Sequence, residues 1–238
     1  DSDNDGTNDD TDINPTVPDE DQDGVPDEYE SETTTLYSVG VRDLSPIGYW
    51  RMGENRAKRT FDYSGNNNLG FHKNLTYLSP STILEDDRGA YTFNGTDSYV
   101  ELGDININDQ TKFTVTAWVK QTDGSGWNTI LSDWYSDGNE SIHFAIENSV
   151  PKFFISNDGS TQDYISGTAL TENEWYFLAV TFDSGELIFY INGKPVATKT
   201  SSITSINNTN QLWTIGRNNQ DLNHSFNGNI DDLAIFNS

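Results

Sequence analysis

The sequence predicts an all-β antiparallel sandwich behind a short acidic segment, and three observations carry that expectation. Strand-like runs rich in aromatic and β-branched residues recur through residues 44–238, turn signals separate them, and helix signals are nearly absent. The runs are Tyr91 to Asn94, Ser98 to Leu102, Lys112 to Lys120, Thr129 to Ser132, Ser141 to Ile146, Lys152 to Ser156, Glu174 to Phe182, Glu186 to Asn192, Val196 to Lys199, Leu212 to Gly216 and Asn229 to Phe236. Asn94-Gly95, Asp123-Gly124, Asp137-Gly138, Asp158-Gly159, Asn192-Gly193 and Asn227-Gly228 mark the turns. Such spacing favours a sandwich, and about 200 residues suffice for one β domain with its own core.

The chain opens on one carboxylate pattern written twice, D-x-D-x-D-G-x-x-D-x-x-(D/E), at Asp1 and again at Asp19. Oxygen ligands at positions 1, 3 and 5 converge on one cation only if the backbone turns sharply at position 6, where glycine tolerates the dihedrals, and a carboxylate at position 12 closes the shell. The first copy supplies Asp1, Asp3, Asp5, the Thr7 carbonyl, Asp9 and Asp12 around Gly6; the second supplies Asp19, Asp21, Asp23, the Val25 carbonyl, Asp27 and Glu30 around Gly24. With six and seven carboxylates in the two copies, at least two Ca²⁺ ions are expected. The first 32 residues hold 14 acids and no Lys or Arg, so the segment repels itself until divalent ions condense it. An EF-hand needs flanking helices, which the six-residue connection Ile13 to Pro18, with Pro15 and Pro18, cannot hold. The pattern resembles the thrombospondin type 3 repeat, a loop-only array wound around calcium. Asn14 stands where that family often carries a cysteine, so metal alone would brace it.

Acids outnumber bases 38 to 13, a net charge of −25, and beyond residue 32 the balance is still −11. A chain this acidic repels phosphate backbones and anionic membranes, so neither nucleic acid nor membrane insertion is expected. No stretch approaches the roughly 20 apolar residues of a spanning helix. Calcium loops tuned near ~10⁻⁴ to 10⁻³ M work outside cells, and the absence of cysteine is compatible with export. The chain is read as a secreted or cell-surface module of a larger protein, monomeric, divided into repeats at 1–32, a linker at 33–43 and a sandwich at 44–238. Leu36, Tyr37 and Val39 to Val41 hint that the linker docks.

Within Lys112 to Lys120, Phe113, Val115, Ala117 and Val119 alternate with Thr114, Thr116 and Trp118, as in a half-buried strand. Trp175 to Phe182 and Leu187 to Ile191 are apolar on both faces and need a second cover. The motifs GYWRMGE from Gly48, DYSGNNN from Asp62, YTFNGTDSYVEL from Tyr91, FTVTAWVK from Phe113, EWYFLAVTFD from Glu174, LIFYINGK from Leu187, TIGR from Thr214 and GNIDDLAIFN from Gly228 follow in order. Together they resemble the laminin G-like domain of the concanavalin A-like lectin superfamily, which implies a jelly roll. The resemblance also implies a third calcium site that pins Asp62, Gly65 and Asn67 to Asp231 or Asp232 on the last strand; an Asx turn with two solvent-facing aspartates is the alternative. Trp118 and Trp175 fall in family core motifs and are expected in the core.

Glycosidases of this superfamily align two or three carboxylates on one strand, and no E-x-D-x-x-E run occurs; Glu172 and Glu174 come nearest. His72, His143 and His224 are scattered and are expected at the surface or in loops, so no catalytic residue is assigned. Trp127, Asp133, Trp134, Tyr135 and Asp137 lie in turn-rich segments, where exposed rings offer sugar-stacking faces beside hydroxyl acceptors; Trp213 and the loop Asn218 to His224 are candidates to join them. Those rings otherwise cap the open end of the sandwich. Two functions stay open: a carbohydrate-binding module for an extracellular polysaccharide or cell-surface glycan, with a calcium-stiffened spacer, or an adhesion or spacer module whose partner is a surface protein.

Overall fold

The computed structural model describes residues 36–54, 58–79, 89–107, 111–135, 138–207, 209–219, 221 and 223–238. Both acidic repeats and Asp137 lie outside them. Two antiparallel sheets stack into a jelly-roll sandwich, the fold class expected. The first sheet runs β14 (Lys194–Thr200), β13 (Glu186–Ile191), β12 (Tyr176–Asp183), β7 (Lys112–Gln121), β16 (Asn227–Phe236), β5 (Ala90–Asn94) and β4 (Thr76–Ser79), with β1 (Gly48–Trp50) also paired to β16. The second runs β11 (Gln162–Ser166), β10 (Val150–Ser156), β9 (Glu140–Glu147), β8 (Trp127–Trp134), β15 (Thr214–Ile215), β6 (Tyr99–Leu102), β3 (Gly70–Lys73) and β2 (Arg59–Thr60). Every run read as a strand overlaps one of these. The five strands the sequence left unassigned, β1 to β4 and β11, are two to five residues long, too short for a period-2 pattern to emerge.

Alternation builds the core. On β7, Phe113, Val115, Ala117 and Val119 are fully buried, and the residues between them are half-exposed. Phe113 stacks on Phe182 of β12 with centroids 5.0 Å apart. Each such ring, removed from water, contributes on the order of 2 kcal/mol. The alternation also corrects one expectation. Trp118 points away from the core, onto the outer face of the first sheet, 5.4 Å from Phe177 of the neighbouring strand, and Trp175 is half-buried beside it, under the Lys120 ammonium.

Part of that outer face is covered by a helix, α1 (Leu36–Asp43), where a linker was expected. Its sequence, LYSVGVRD, has one glycine and two valines and weak helix propensity; eight residues are also too few to hold a helix in isolation. Docking holds it. Tyr37 and Val41, one turn apart, face the sheet: Trp118 Nε1 donates to Tyr37 Oη at 3.2 Å, and Val41 lies against the buried cluster Tyr49, Phe61, Tyr63, Ala234 and Phe236. Leu36 and Val39 point to solvent, 89% and 39% exposed, so Tyr37, the buried Ser38 and Val41 carry the docking. Among the described residues, no helix is long and apolar enough to cross a membrane.

Candidate functional site

The outer face of the second sheet carries an aromatic cleft, and a backbone irregularity creates it. Trp127 and Trp134 are seven residues apart on β8, an odd spacing that in a regular strand sends them to opposite faces. A bulge between Thr129 and Leu131 inserts one extra residue, so Ile130 and Leu131 both enter the core and parity flips. Both tryptophans then reach the same outer face. There Trp127 lies 5.7 Å from Phe154 of β10, and Trp134 lies 6.1 Å from the same ring.

Between them sits His143 of β9, directly across from Ser132 and Phe154 in the two ladders. Expected at the surface, it is 4% exposed. The loop after β15 roofs it: Asn218 places its side-chain amide 3.4 Å from His143 Nε2, and Thr129 Oγ1 lies 3.0 Å from the same nitrogen. The Asp221 amide donates to Asn218 Oδ1 at 3.4 Å, which turns the Asn218 nitrogen toward the imidazole. His143 Nε2 therefore accepts and Nδ1 carries the proton. Burial, with the neighbouring His224, lowers the His143 pKa to about 3, so the ring stays neutral. His224 stacks 4.9 Å from Trp127, and burial lowers its pKa too, against the opposing pull of Asp221 and Glu147.

Trp127, Trp134, His143, Phe154, Gln162, Asn218, Asp221 and His224 thus enclose a cleft of about 470 Å³, within the range of small-ligand sites. Two lysines stand at its rim, Lys152 with its ammonium 5.8 Å from the Trp127 ring and Lys199 5.3 Å from Tyr164. Each is neutralised by an ion pair, Lys152 with Glu147 and Lys199 with Asp163. Asp221 is left as the net charge of the described lining.

The sequence-derived candidates separate accordingly. Trp127 and Trp134 line the cleft. Asp133, on the opposite parity, points inward, 2% exposed, and accepts from Thr209 Oγ1 at 2.6 Å; it does not reach the cleft. Tyr135 supports the roof: its hydroxyl donates to the Leu212 carbonyl at 2.6 Å and accepts from Asn219 Nδ2 at 2.8 Å. Trp213, 2% exposed, belongs to the core, whereas Asn218, Asp221 and His224 do join the site. His143, Phe154 and Gln162 went unrecognised; the alternation in E-S-I-H-F-A-I-E, with Ile142, Phe144 and Ile146 inward, is the signal that places His143 outward. Glu172 accepts the Gly124 amide at 2.9 Å and braces a turn, and His72 lies 2.7 Å from Thr60 Oγ1, away from the cleft.

The loop expected to hold calcium against the last strand is tied from within. Asp62, 1% exposed, accepts at Oδ1 from the Tyr49 and Ser64 amides at 2.9 and 3.0 Å, and at Oδ2 from the Asn68 amide and side chain at 2.9 and 2.8 Å. Four donors fill a carboxylate's lone-pair sites. Gly65 and Asn67 take left-handed φ values of 82° and 59° to turn the loop. The Tyr49 hydroxyl donates to Asp232 Oδ1, and Asp231 and Asp232 are buried in the β16 bulge rather than solvent-facing. Tyr49 thus joins Asp62 through its amide and Asp232 through its hydroxyl, the bridging role expected of the ion. Among the described residues no group of three His, Cys, Asp or Glu side chains gathers around one position.

Two stacked antiparallel sheets in a jelly roll define the class of fold. Residues 94–238 match the family described as the concanavalin A-like lectin/glucanases superfamily, and the chain belongs to it. Among solved structures it is similar to the botulinum neurotoxin serotype D binding domain (TM-score 0.63, 19% identity, 84% of this chain and 49% of that one). It is also similar to the serotype D ligand binding domain in complex with N-acetylneuraminic acid (0.63, 17%, 84% and 49%). A third is the binding domain of botulinum neurotoxin DC in complex with rat synaptotagmin II (0.63, 19%, 83% and 49%). The chain spans about half the length of these structures, and at such identities the likeness is one of fold. No curated protein sequence matches it.

Proposed function

We propose that this chain is a secreted, non-catalytic carbohydrate-binding module that takes an uncharged sugar in the Trp127–Trp134 cleft, carried on a calcium-bound N-terminal spacer. The observation that carries the reading is the convergence of Trp127, Trp134 and Phe154 with Gln162, Asn218 and Asp221, aromatic faces for the C–H side of a pyranose beside donors and an acceptor for its hydroxyls. Binding rather than hydrolysis is favoured because the described lining offers one carboxylate, Asp221, where glycoside hydrolysis takes two. The serotype D domain was captured with N-acetylneuraminic acid, but here the rim lysines are already paired and Asp221 is acidic, which selects a neutral sugar over a sialylated one.

On a glycan array, the full chain is expected to bind neutral oligosaccharides and to ignore sialylated ones. Trp127→Ala should weaken binding at least tenfold, about 1.4 kcal/mol, with the fold retained by circular dichroism. Full binding by Trp127→Ala, or preference for sialylated glycans, would refute the assignment. For the spacer, calorimetry of the full chain should resolve at least two Ca²⁺ ions, lost in an Asp5→Asn, Asp23→Asn double variant. X-ray scattering should show the chain lengthening in chelator; the same profile with and without calcium would count against it.

A further inference from the structure

The first sheet carries a second aromatic cleft on its outer face, about 480 Å³, bounded by Tyr37 of α1, Trp118 of β7, Trp175, Phe177 of β12 and the turn Asn192-Gly193. It lies on the opposite side of the sandwich from Trp127, because Trp118 and Phe177 alternate with core residues of the first sheet and Trp127 with those of the second. Its described lining differs from that of the first cleft, although Asp231 and Asp232 lie close enough to Tyr37 to raise its pKa. None of its described lining residues is acidic, and the Lys120 ammonium stands 5.3 Å from the Trp175 ring. Among the described residues Lys120 has no carboxylate within ion-pair distance, unlike Lys152 and Lys199 at the first cleft. The Tyr37 hydroxyl, which accepts from Trp118 Nε1, keeps its own proton as a donor, since burial and then the charge of Asp232 raise its pKa. Asn192, which also lines the cleft, accepts the Phe177 amide through Oδ1 at 2.9 Å.

We infer that this cleft is a second carbohydrate site, selective for an acidic sugar residue such as a uronate, with the pyranose face on Trp118 and Trp175 and the carboxylate on Lys120. Aromatic faces give affinity to any pyranose, and an ammonium that no described carboxylate pairs favours the anion. The contact is short-range, so it survives at about 0.15 M salt, where the repulsion of a chain of net charge −25 is screened beyond roughly 8 Å. The two clefts act independently and take different ligands.

The test titrates the full chain with glucuronate-, galacturonate- and mannuronate-containing trisaccharides and with their neutral methyl esters, read by tryptophan fluorescence in calcium-free buffer at 0.15 M salt. At least one acid form is expected to bind and its ester to bind at least fivefold more weakly. Trp175→Ala should lose tenfold or more, Trp175→Phe should largely restore binding, and Lys120→Gln should abolish the preference for acid over ester. Trp127→Ala should leave this binding intact, which separates the site from the neutral-sugar cleft. Failure of every acidic probe, equal binding of ester and acid, or loss in Trp127→Ala with retention in Trp175→Ala would each overturn the inference.

Discussion

Replacing Gly228 by alanine is expected to destabilise the sandwich by roughly 3–5 kcal/mol, combining the strain of a glycine-only backbone region with overpacking. Gly228 sits on β16 opposite Phe93 of β5 and Gln121 of β7, with φ at 141°, and a Cβ there meets the Lys120 carbonyl oxygen at 2.1 Å and the Gln121 Cα at 3.0 Å. Those atoms are backbone of a central strand and cannot retreat without breaking the ladder. Gly40 on α1 is the control: its added Cβ meets nothing within 4 Å, so Gly40→Ala should stabilise by about 0.5–1 kcal/mol through helix propensity. Urea denaturation of the two variants checks both signs, and a Gly228→Ala midpoint equal to wild type would show that the strand is not held as described.

Asp133→Asn is expected to stabilise the protein, increasingly so as pH rises. Burial, reinforced by Asp104, raises the Asp133 carboxyl from its ordinary 3.8 to about 7, against the hydrogen bonds from Thr209 and Ser141. Between pH 4 and 7 the folded chain holds a proton that the unfolded chain releases, so this group makes stability fall across that window and level off above it. A shift of about three units corresponds to some 4 kcal/mol; with partial solvation, about 2–4 kcal/mol is expected. Asparagine cannot ionise and still accepts from Thr209 Oγ1. The variant should therefore melt close to wild type at pH 4 and roughly 4–16 °C higher at pH 8, at 2–4 °C per kcal/mol. An equal change at both pH values would contradict the assignment of a buried, costly charge.

How far the sequence reveals all this depends on whether a feature is periodic. The β7 core was legible because four apolar residues alternate without a break, and β8 was legible in part, as Thr129 to Ser132. The pairing of Trp127 with Trp134 was not, because it depends on a bulge that changes parity, and bulges leave no local signature here. The same shift removed Asp133 from the site. His143 was misplaced because a loop 75 residues further on, carrying Asn218, buries it from outside; no pattern local to β9 encodes that roof. Trp118 was mistaken for core because a tryptophan in a strand motif reads as apolar filler, although its phase already put it opposite Val115 and Val119. Helix α1 escaped notice because its stability comes from tertiary docking of Tyr37 and Val41 rather than from its own residues.

That docking also sets an orientation. Because Leu36–Asp43 rests on the first sheet, the backbone joins the sandwich from that side. The Trp118 surface lies beside the docked helix, and the Trp127 surface faces the other way, on the second sheet. The two proposed sites therefore lie on opposite sides of the sandwich, one beside the docked helix and the other remote from it.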